Sequence, residues 1–483
     1  MEYEAVIGLE VHIQIKTASK LFARSAYFYG IDANTLTDPV VLGLPGALPV
    51  LNGEAVRQAL RAGLIFNATI PEITRWDRKN YFYPDNPKNY QISQLDQPIC
   101  KGGSVEIELA GPSRNIMGVH KKIALDRIQL EEDVGKLTHE GNLSYIDFNR
   151  AGVPLLEIVS LPDLRSEEEA FAYLTSLRMH LSYAGISDGD MEKGQLRCDA
   201  NVSIRPKGQQ ALGTKVELKN LNSISGVRNG IAYEIRRQQQ VLSDGGHIPQ
   251  ETRKWDAERS ISTPMRSKET VDDYRYFPDP DLAPLKIEKT WIDTLRQSLP
   301  ELPFSKQERF FKSYDLPYTV TSVFYPHPDL CDFFEATVQL YPQAKRIANF
   351  IANDFLRELS EAHLPIAKEN FKITPQQLAE LMRLIDEGVL SKQTAQDTFV
   401  AMFQTGNDAK SIIAEKGLAQ NSNEQELVNF CKAAIENNPK AVAEYRSGKV
   451  TAINALKGNV MKVTQGQGNP LLIDKILHQL LDL

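Results

Sequence analysis

From the N-terminus to about residue 290, breaks of Gly, Pro, Asn and Asp separate short stretches in which apolar and polar residues alternate. A period of two marks a strand with one buried and one polar face. Leu9-Glu10-Val11-His12-Ile13-Gln14-Ile15-Lys16 alternates without a fault, as does 196–205, and 215–219 and 105–109 are shorter examples. Two helices interrupt the pattern. Ser166-Glu167-Glu168-Glu169 reads as a capping box, with Phe171, Leu174, Leu177 and Leu181 at near-helical spacing behind it. The other is predicted over 227–242, ahead of Gly245-Gly246. Helices this few do not make a βαβ series, so the pattern predicts an α+β domain on an antiparallel sheet, residues 1–293. Beyond Pro300-Glu301-Leu302-Pro303 glycine becomes rare and helical periodicity takes over. Thr374-Pro375-Gln376-Gln377 supplies an N-cap, an N1 proline and an N3 glutamine. A helical domain is expected over 294–405. After a hinge at Gly406-Asn407, a small helical tail is expected over 406–483, with helices around 423–437, 439–447, 451–464 and from Asn469-Pro470 onward.

Composition narrows the class. Of 483 residues, 42% are hydrophobic and 24% charged, as in ordinary globular proteins. No apolar window approaches the ~20 residues of a membrane span, and the start lacks the charged and apolar regions of a signal peptide. The four cysteines (Cys100, Cys198, Cys331, Cys431) form no close pair, which points to reduced thiols in a cytoplasmic protein without a cysteine-based zinc site. A net charge of −7 argues against wholesale wrapping of nucleic acid. Residues 443–475 nevertheless hold 5 basic and 2 acidic residues. That local excess is either scatter on a helical surface or a small phosphate-contacting tail.

The polar faces of the predicted strands hold the candidate chemistry. One face reads Glu10, His12, Gln14, Lys16; another Arg197, Asp199, Asn201, Ser203, Arg205; a third Lys215, Glu217, Lys219. Gln129, Glu131 and Asp133 share a face, and Glu132 points the other way unless a bulge intervenes. These are either solvated faces of an antiparallel sheet or a metal–phosphate site, since Glu and His two apart on a strand offer oxygen and imidazole to a divalent ion. The aromatic, charged segment Asp77-Arg78-Lys79-Asn80-Tyr81-Phe82-Tyr83-Pro84 and its continuation to Tyr90 read as a binding loop, as does Asp272-Asp273-Tyr274-Arg275-Tyr276-Phe277-Pro278. No GxxxxGK[ST], helix-opening GxGxxG or HExxH is present; Gly185-Ile186-Ser187-Asp188-Gly189 matches GxSxG but follows a predicted helix rather than a strand, so it is no nucleophile elbow.

The same segments carry a resemblance. Ile7-Gly8-Leu9-Glu10-Val11-His12, Leu44-Pro45-Gly46-Ala47-Leu48-Pro49-Val50-Leu51-Asn52, the 77–97 segment, Leu130-Glu131-Glu132-Asp133, and Asp147-Phe148-Asn149-Arg150-Ala151-Gly152-Val153-Pro154-Leu155-Leu156-Glu157 are among its carriers. With 196–203, 213–223 and 273–278 they resemble, nearly end to end, the signatures of the GatB family, the B subunits of the aspartyl/glutamyl-tRNA amidotransferases. The resemblance implies a glutamine-synthetase-like catalytic domain and a helical C-terminal part whose tail touches tRNA through Arg446, Lys449, Lys457 and Lys462. It implies ATP and Mg²⁺ as cofactors, and the A (glutaminase) and C subunits as partners in a heterotrimer. The carboxylate of Glu-tRNA(Gln) or Asp-tRNA(Asn) is phosphorylated, and ammonia from glutamine hydrolysis on the glutaminase attacks the acyl phosphate. Phosphoryl transfer needs divalent metal and cations. Glu10, His12, Glu131, Glu132 and Glu217, with Asp199 next, are the expected metal ligands, and Glu10, His12, Glu132 and Lys79 the expected catalytic set. Lys79, Arg197 and Lys219 are expected at ATP phosphates or the acyl phosphate, with Tyr81 and Tyr83 stacking on adenine or the tRNA terminus.

Departures from the family pattern matter. Where many relatives carry zinc-binding cysteines this chain has Ala23, Ser25, Asp38 and Val41, so no zinc is expected. Position 129, often His, is Gln129, and position 161, often Glu, is Leu161. Two other readings are a tRNA-binding scaffold with a decayed nucleotide site, which lacks an intact carboxylate set, and a metal-dependent hydrolase, which the end-to-end match disfavours.

Overall fold

The computed structural model describes residues 2–265, 274–416, 424–464 and 468–482; Asp272, Asp273 and Asn423 lie outside the described residues. The chain packs as two units, Met1–Pro303 and Phe304–Leu483.

In the first unit the strands that matter are β1 (Tyr3–Gln14), β2 (Asp77–Asn80), β3 (Tyr90–Ser93), β4 (Cys100–Lys101), β5 (Ser104–Glu108), β6 (His120–Glu132), β7 (Pro154–Ser160), β8 (Leu196–Pro206), β9 (Val216–Leu221), β10 (Glu251–Asp256), β11 (Ile261–Pro264) and β12 (Arg275–Pro278). Nine of them form one sheet in the order β11-β10-β9-β8-β1-β7-β6-β4, with β5 also paired to β6. Alternation decides its two sides. Ile7, Leu9, Val11 and Ile13 of β1 are buried with Ile128, Leu130, Leu156, Ile158, Ala200 and Val202. These side chains pack in one core with Leu174 and Leu177 of α2 (Glu167–Tyr183) and Val227 and Ile231 of α3 (Ile224–Ser243). Each large apolar side chain buried there contributes about 1.5–3 kcal/mol, which pins the register and forces the even-numbered residues of β1 onto the other face.

The sheet departs from the antiparallel expectation at one pair. β9 and β10 run parallel, because α3 lies between them in sequence and carries the chain back to the same end, as a parallel crossover requires. Two helices beyond the predicted pair are present, α1 (Gly53–Ile65) and Lys289–Gln297. The segment expected as an aromatic loop is partly strand: β12-β2-β3 form a small antiparallel sheet in which Lys79 pairs with Gln91 and Tyr276.

The second unit is helical. Thr374 and Gln377 make both limbs of a capping box on Pro375–Asp386. Buried apolar side chains form two clusters. One, rich in phenylalanine (Phe310, Phe324, Phe333, Phe334, Phe355, Phe399), extends to Ile412 and Ile413; it thus takes in residues beyond the expected hinge at Gly406. The other runs from Leu427 to Leu481.

Candidate active site

The sheet register brings together side chains that are far apart in sequence. On β1, Glu10 and His12 project from the polar face; Glu10 lies opposite Asp199 and His12 opposite Arg197 on β8. On the other flank His12 lies opposite Glu157 of β7, and Glu157 opposite Gln129 of β6. Glu131, two residues on, shares that face. The result is a ring of carboxylates around one imidazole: His12 Nε2 is 3.5 Å from Glu157, 3.6 Å from Glu131 and 3.8 Å from Glu10. Glu10, His12 and Glu157 each offer one donor atom, all within 4.8 Å of one another. Ser93 Oγ donates to Glu131 at 2.6 Å and Arg127 stands 3.6 Å from Glu157.

Three carboxylates in a half-buried pocket repel one another, and the protonation equilibria record it. Burial and the charge of Glu157 push Glu10 and Glu131 above the ordinary carboxylate value. Burial opposes a charged His12, but contact with Glu157 and the fields of Glu131 and Glu10 override it and raise the imidazole. Glu157 is held below its usual value despite burial, chiefly through His12. Lys79 of β2 is a second nearby cation: burial works against its charge, and Glu131 and Glu157 more than compensate. Its ammonium also sits 4.8 Å over the Tyr274 ring. Such a carboxylate-rich set with one imidazole fits a hard divalent cation such as Mg²⁺, whose charge would relieve the repulsion that the protein alone relieves by binding protons.

The remaining predicted residues fall into separate places. Glu132 is the clearest difference. No register shift intervenes between Ile128 and Glu132 on β6, so Glu132 points to the side opposite Glu131. There it forms an ion pair with Lys88 and accepts from the Ile92 backbone N–H at 2.9 Å. It belongs with the structural support of β3, outside the His12 ring. Asp199 and Glu217 are on the His12 face but are engaged by Lys219, at 2.6 and 3.0 Å, and Thr252 donates to Glu217 at 2.9 Å. These two acids drive the Lys219 ammonium well above its normal range despite burial. Arg197 is bound to Asp133 at 2.8 Å, and Gln14 donates to the same carboxylate at 3.1 Å. Tyr81 packs edge-on against Tyr274 at 6.0 Å, whereas Tyr83 is 43% exposed. Gln129 is buried and accepts from Arg127 at 3.0 Å, so it contacts a cation of the site. Leu161 is exposed.

Around Ala23, Ser25, Asp38 and Val41, where no zinc is expected, a carboxylate does the tethering. Asp38 accepts from the backbone N–H groups of Val41 at 2.9 Å and Ser25 at 3.1 Å. Burial opposes its ionisation, but these bonds hold it below the ordinary value. In the tail, Arg446, Lys449 and Lys462 are exposed; Lys449 pairs with Glu444 at 2.9 Å and Lys457 with Asp474.

Residue reasoning missed Glu157, Arg127 and Lys88 as site-shaping groups. Pro154-Leu155-Leu156-Glu157-Ile158-Val159-Ser160 shows no alternation, so no polar face was visible. The available signal was different: an acid alone in an apolar strand is rarely buried without a partner.

Two family models match the chain. Residues 5–293 match the family model described as GatB/GatE catalytic domain, and 332–481 the one described as GatB domain. The chain is 57% identical to the aspartyl/glutamyl-tRNA(Asn/Gln) amidotransferase B subunit of Opitutus terrae, covering 100% of this chain and 99% of that one. It is 48% identical to the protein of the same name from Thermoanaerobacter pseudethanolicus, over 99% of each chain. Against that of Staphylococcus carnosus the identity is 44%, over 100% of each.

Proposed function

The chain belongs to the GatB family, the B subunits of the aspartyl/glutamyl-tRNA(Asn/Gln) amidotransferases, and from that premise we propose that it activates the side-chain carboxylate of Glu-tRNA(Gln) or Asp-tRNA(Asn) with ATP for conversion to the amide. The observation that carries this reading is the Glu10–His12–Glu157 cluster with Glu131 and Lys79 beside it.

A carboxylate resists ammonia because its leaving group would be oxide. Attack of a carboxylate oxygen on the γ-phosphorus releases ADP and gives an acyl phosphate. Ammonia then adds to the acyl carbon, inorganic phosphate departs with the C–O bond's electrons, and a proton leaves the nitrogen. Glu10, His12, Glu131 and Glu157 would hold Mg²⁺, which when bound neutralises phosphate oxygens during transfer. Lys79 faces the same acids and is placed to balance charge moving onto the transferred phosphoryl group. Arg197 and Lys219 reach phosphate only by exchanging Asp133 and Asp199, so their proposed role is to order this face. The paired acids of a second group, Asp199 and Glu217, fit a supporting position around Lys219. This chemistry parallels glutamine synthetase, and kinship with that fold is part of the proposal. So are a glutaminase partner, the A subunit, that supplies the ammonia, a heterotrimer completed by the C subunit, and a cytoplasmic setting. Among the described residues no helix is long and apolar enough to cross a membrane.

The test is a reconstituted assay: this chain with the A and C subunits, Glu-tRNA(Gln) or Asp-tRNA(Asn), ATP, Mg²⁺ and glutamine, scored for Gln-tRNA or Asn-tRNA. Glu10→Gln is expected to abolish γ-phosphoryl transfer with tRNA binding retained. Undiminished ATP turnover in that variant rejects the assignment. A scaffold with a decayed site would show tRNA binding and no ATP turnover in the unaltered chain.

A further inference from the structure

Where helices α2 and α3 meet β10, the first unit has a cavity of about 440 Å³, within the range of small-molecule sites. Its wall includes Trp255, which packs in the same core as Leu9 and Val11. The cavity therefore lies on the helix side of the large sheet, away from the face that carries Glu10 and His12. Helix α3 contributes Arg228, Ala232 and Arg236, and the first turn of α2 contributes Glu167 and Glu168. Residues four apart share one face of a helix, so the two arginines flank a methyl group, and the short alanine leaves room between them. The amidation chemistry above uses none of these side chains. Two of them have binding capacity that the chain does not fill. Arg236 is exposed and has no carboxylate partner among the described residues. Arg228 stands 3.9 Å from Glu168, beyond hydrogen-bond reach, and 5.3 Å over the Phe171 ring. Trp255 is 2% exposed, and its indole N–H has no hydrogen-bond partner among the described residues. The ring is not free to turn towards one. Tyr233 packs against it with 5.9 Å between ring centres, and a β-carbon added at Gly230 would lie 3.5 Å from it. A buried donor left unpaired costs stability. An indole nitrogen only donates, so whatever completes it carries an acceptor.

We propose that this cavity binds a small phosphomonoester, its phosphate held by Arg236 and the Trp255 N–H and its hydroxyl-bearing body lying towards Arg228 and the α2 acids. Donors dominate the α3 side: two guanidinium groups and one indole. Guanidinium forks match phosphate geometry, and so many donors suit the three oxygens of a phosphate better than the two of a carboxylate. Glu167 and Glu168 repel a bare anion, but they accept hydrogen bonds from hydroxyl or amino groups. A ligand with phosphate at one end and such donors at the other satisfies both walls. The Cα atoms of Arg228 and Arg236 are about 12 Å apart along α3, which leaves length for an ester and its body rather than for free phosphate alone. A sugar phosphate and a nucleoside monophosphate share this chemistry. The site stands independently of the amidation reading, because it lies on the other side of the sheet.

The experiment is calorimetric titration of the full chain with three probes: orthophosphate, ribose 5-phosphate and AMP. One of the two esters is expected to bind about tenfold more tightly than orthophosphate, and which one does so identifies the source. Arg236→Ala is expected to weaken that ester about tenfold, through loss of a charge-assisted fork. Arg236 is exposed, so its removal leaves the fold intact, which an unchanged melting temperature verifies. Trp255→Phe keeps a ring in the core and removes the donor; it should weaken the ester roughly threefold to tenfold. Glu168→Ala separates the two ends of the ligand: it should weaken the ester and tighten orthophosphate, because it removes a hydroxyl partner and a repelling charge. AMP held at the catalytic face would be insensitive to Arg236→Ala, so undiminished ester binding in that variant overturns the proposal. Saturable binding of neither ester overturns it too. Orthophosphate binding as tightly as both esters does the same, since the acidic wall would then hold nothing.

Discussion

At the scale of single residues, the decisive contrast is between Glu157 and Glu132. Both are buried acids, but Glu157 faces His12 at 3.5 Å and Glu132 faces Lys88 on the other side of the sheet. Glu157→Gln is therefore expected to lower γ-phosphoryl transfer on the order of 100-fold with little change in melting temperature. Glu132→Gln is expected to do the reverse. It leaves a buried ammonium with no counter-charge, a loss of about 3 kcal/mol, seen as a lower melting temperature. Single-turnover kinetics and thermal melts on both variants decide it; a Glu132 variant that is fully stable yet inactive would return that residue to the catalytic set. Lys20 poses a different question. It is 1% exposed, its ammonium donates to the Leu36 carbonyl at 2.6 Å, and burial pushes its pKa down to about 8. A depressed folded-state pKa means that the unfolded chain holds the proton longer. The contribution to stability is thus greatest above the ordinary value near 10.5 and is lost as pH falls through 8. The stability of the unaltered chain relative to Lys20→Met should rise by up to about 3 kcal/mol between about pH 8 and 10.5. A difference that stays flat across that window removes the buried charge from the account. Alternation made Glu10, His12, Glu131, Asp199 and Glu217 legible as face residues, because each sits in a strand with one apolar side. It could not show Glu157, in a strand apolar on both sides, nor separate lone acids from those already held by Lys219.

At the scale of elements, the alternating strands of the large sheet were legible, whereas β7, β10 and β11 of that sheet and the small sheet were not. β1 and β8 declare themselves because every second residue is buried. β2 reads Asp77-Arg78-Lys79-Asn80, with no apolar period, and is a strand because β3 and β12 bond to it from both sides. β12 is nearly 200 residues away, so no local pattern can announce that pairing. Helix α1 was overlooked for another reason: its buried stripe is largely small or polar, with Ala55, Gln58, Ala59, Ala62 and Gly63 beside Val56, Leu60 and Ile65, a weak hydrophobic signal. Its start was marked all the same. The Asn52 side-chain oxygen accepts from the Glu54 N–H at 2.9 Å, while its amide donates to the Ser19 carbonyl at 3.0 Å. Asn52 thus caps the helix and ties it to the segment that follows β1. Asn52→Ala should cost about 1–2 kcal/mol. It should also speed amide exchange in residues 17–20, whereas a simple cap loss would confine faster exchange to the first turn of α1.

At the scale of the whole chain, net charge gave the least reliable guidance, because −7 averages an acidic catalytic sheet with a tail that carries a small basic excess. The structure separates the tail cations on which the proposed tRNA contact would draw. Lys457 is paired with Asp474 and Lys449 with Glu444, whereas Arg446 and Lys462 are exposed and have no carboxylate partner among the described residues. A cation bound to a carboxylate must give up that partner before it neutralises phosphate, so its removal changes affinity less than removal of an exposed one. Removing one phosphate interaction also flattens the dependence of log affinity on log salt by somewhat under one unit. The Arg446→Ala/Lys462→Ala pair is therefore expected to lower the salt slope for tRNA by about 1.5 to 2. The Lys449→Ala/Lys457→Ala pair, matched in charge, should lower it by less than half as much. Equal slopes for the two variants would mean that the pairs dissolve on binding and that charge count alone governs the tail. A slope unchanged in both would assign the tRNA contact to another surface. Truncation is the coarser route to the same answer, and the packing says where to cut. Ile412 and Ile413 belong to the phenylalanine-rich cluster, so a chain ending after Lys416 keeps that core intact, whereas one ending at Thr405 opens it. Weaker tRNA binding in the longer of these two chains, with its melting transition retained, would isolate the contribution of the tail from damage to the helices before it.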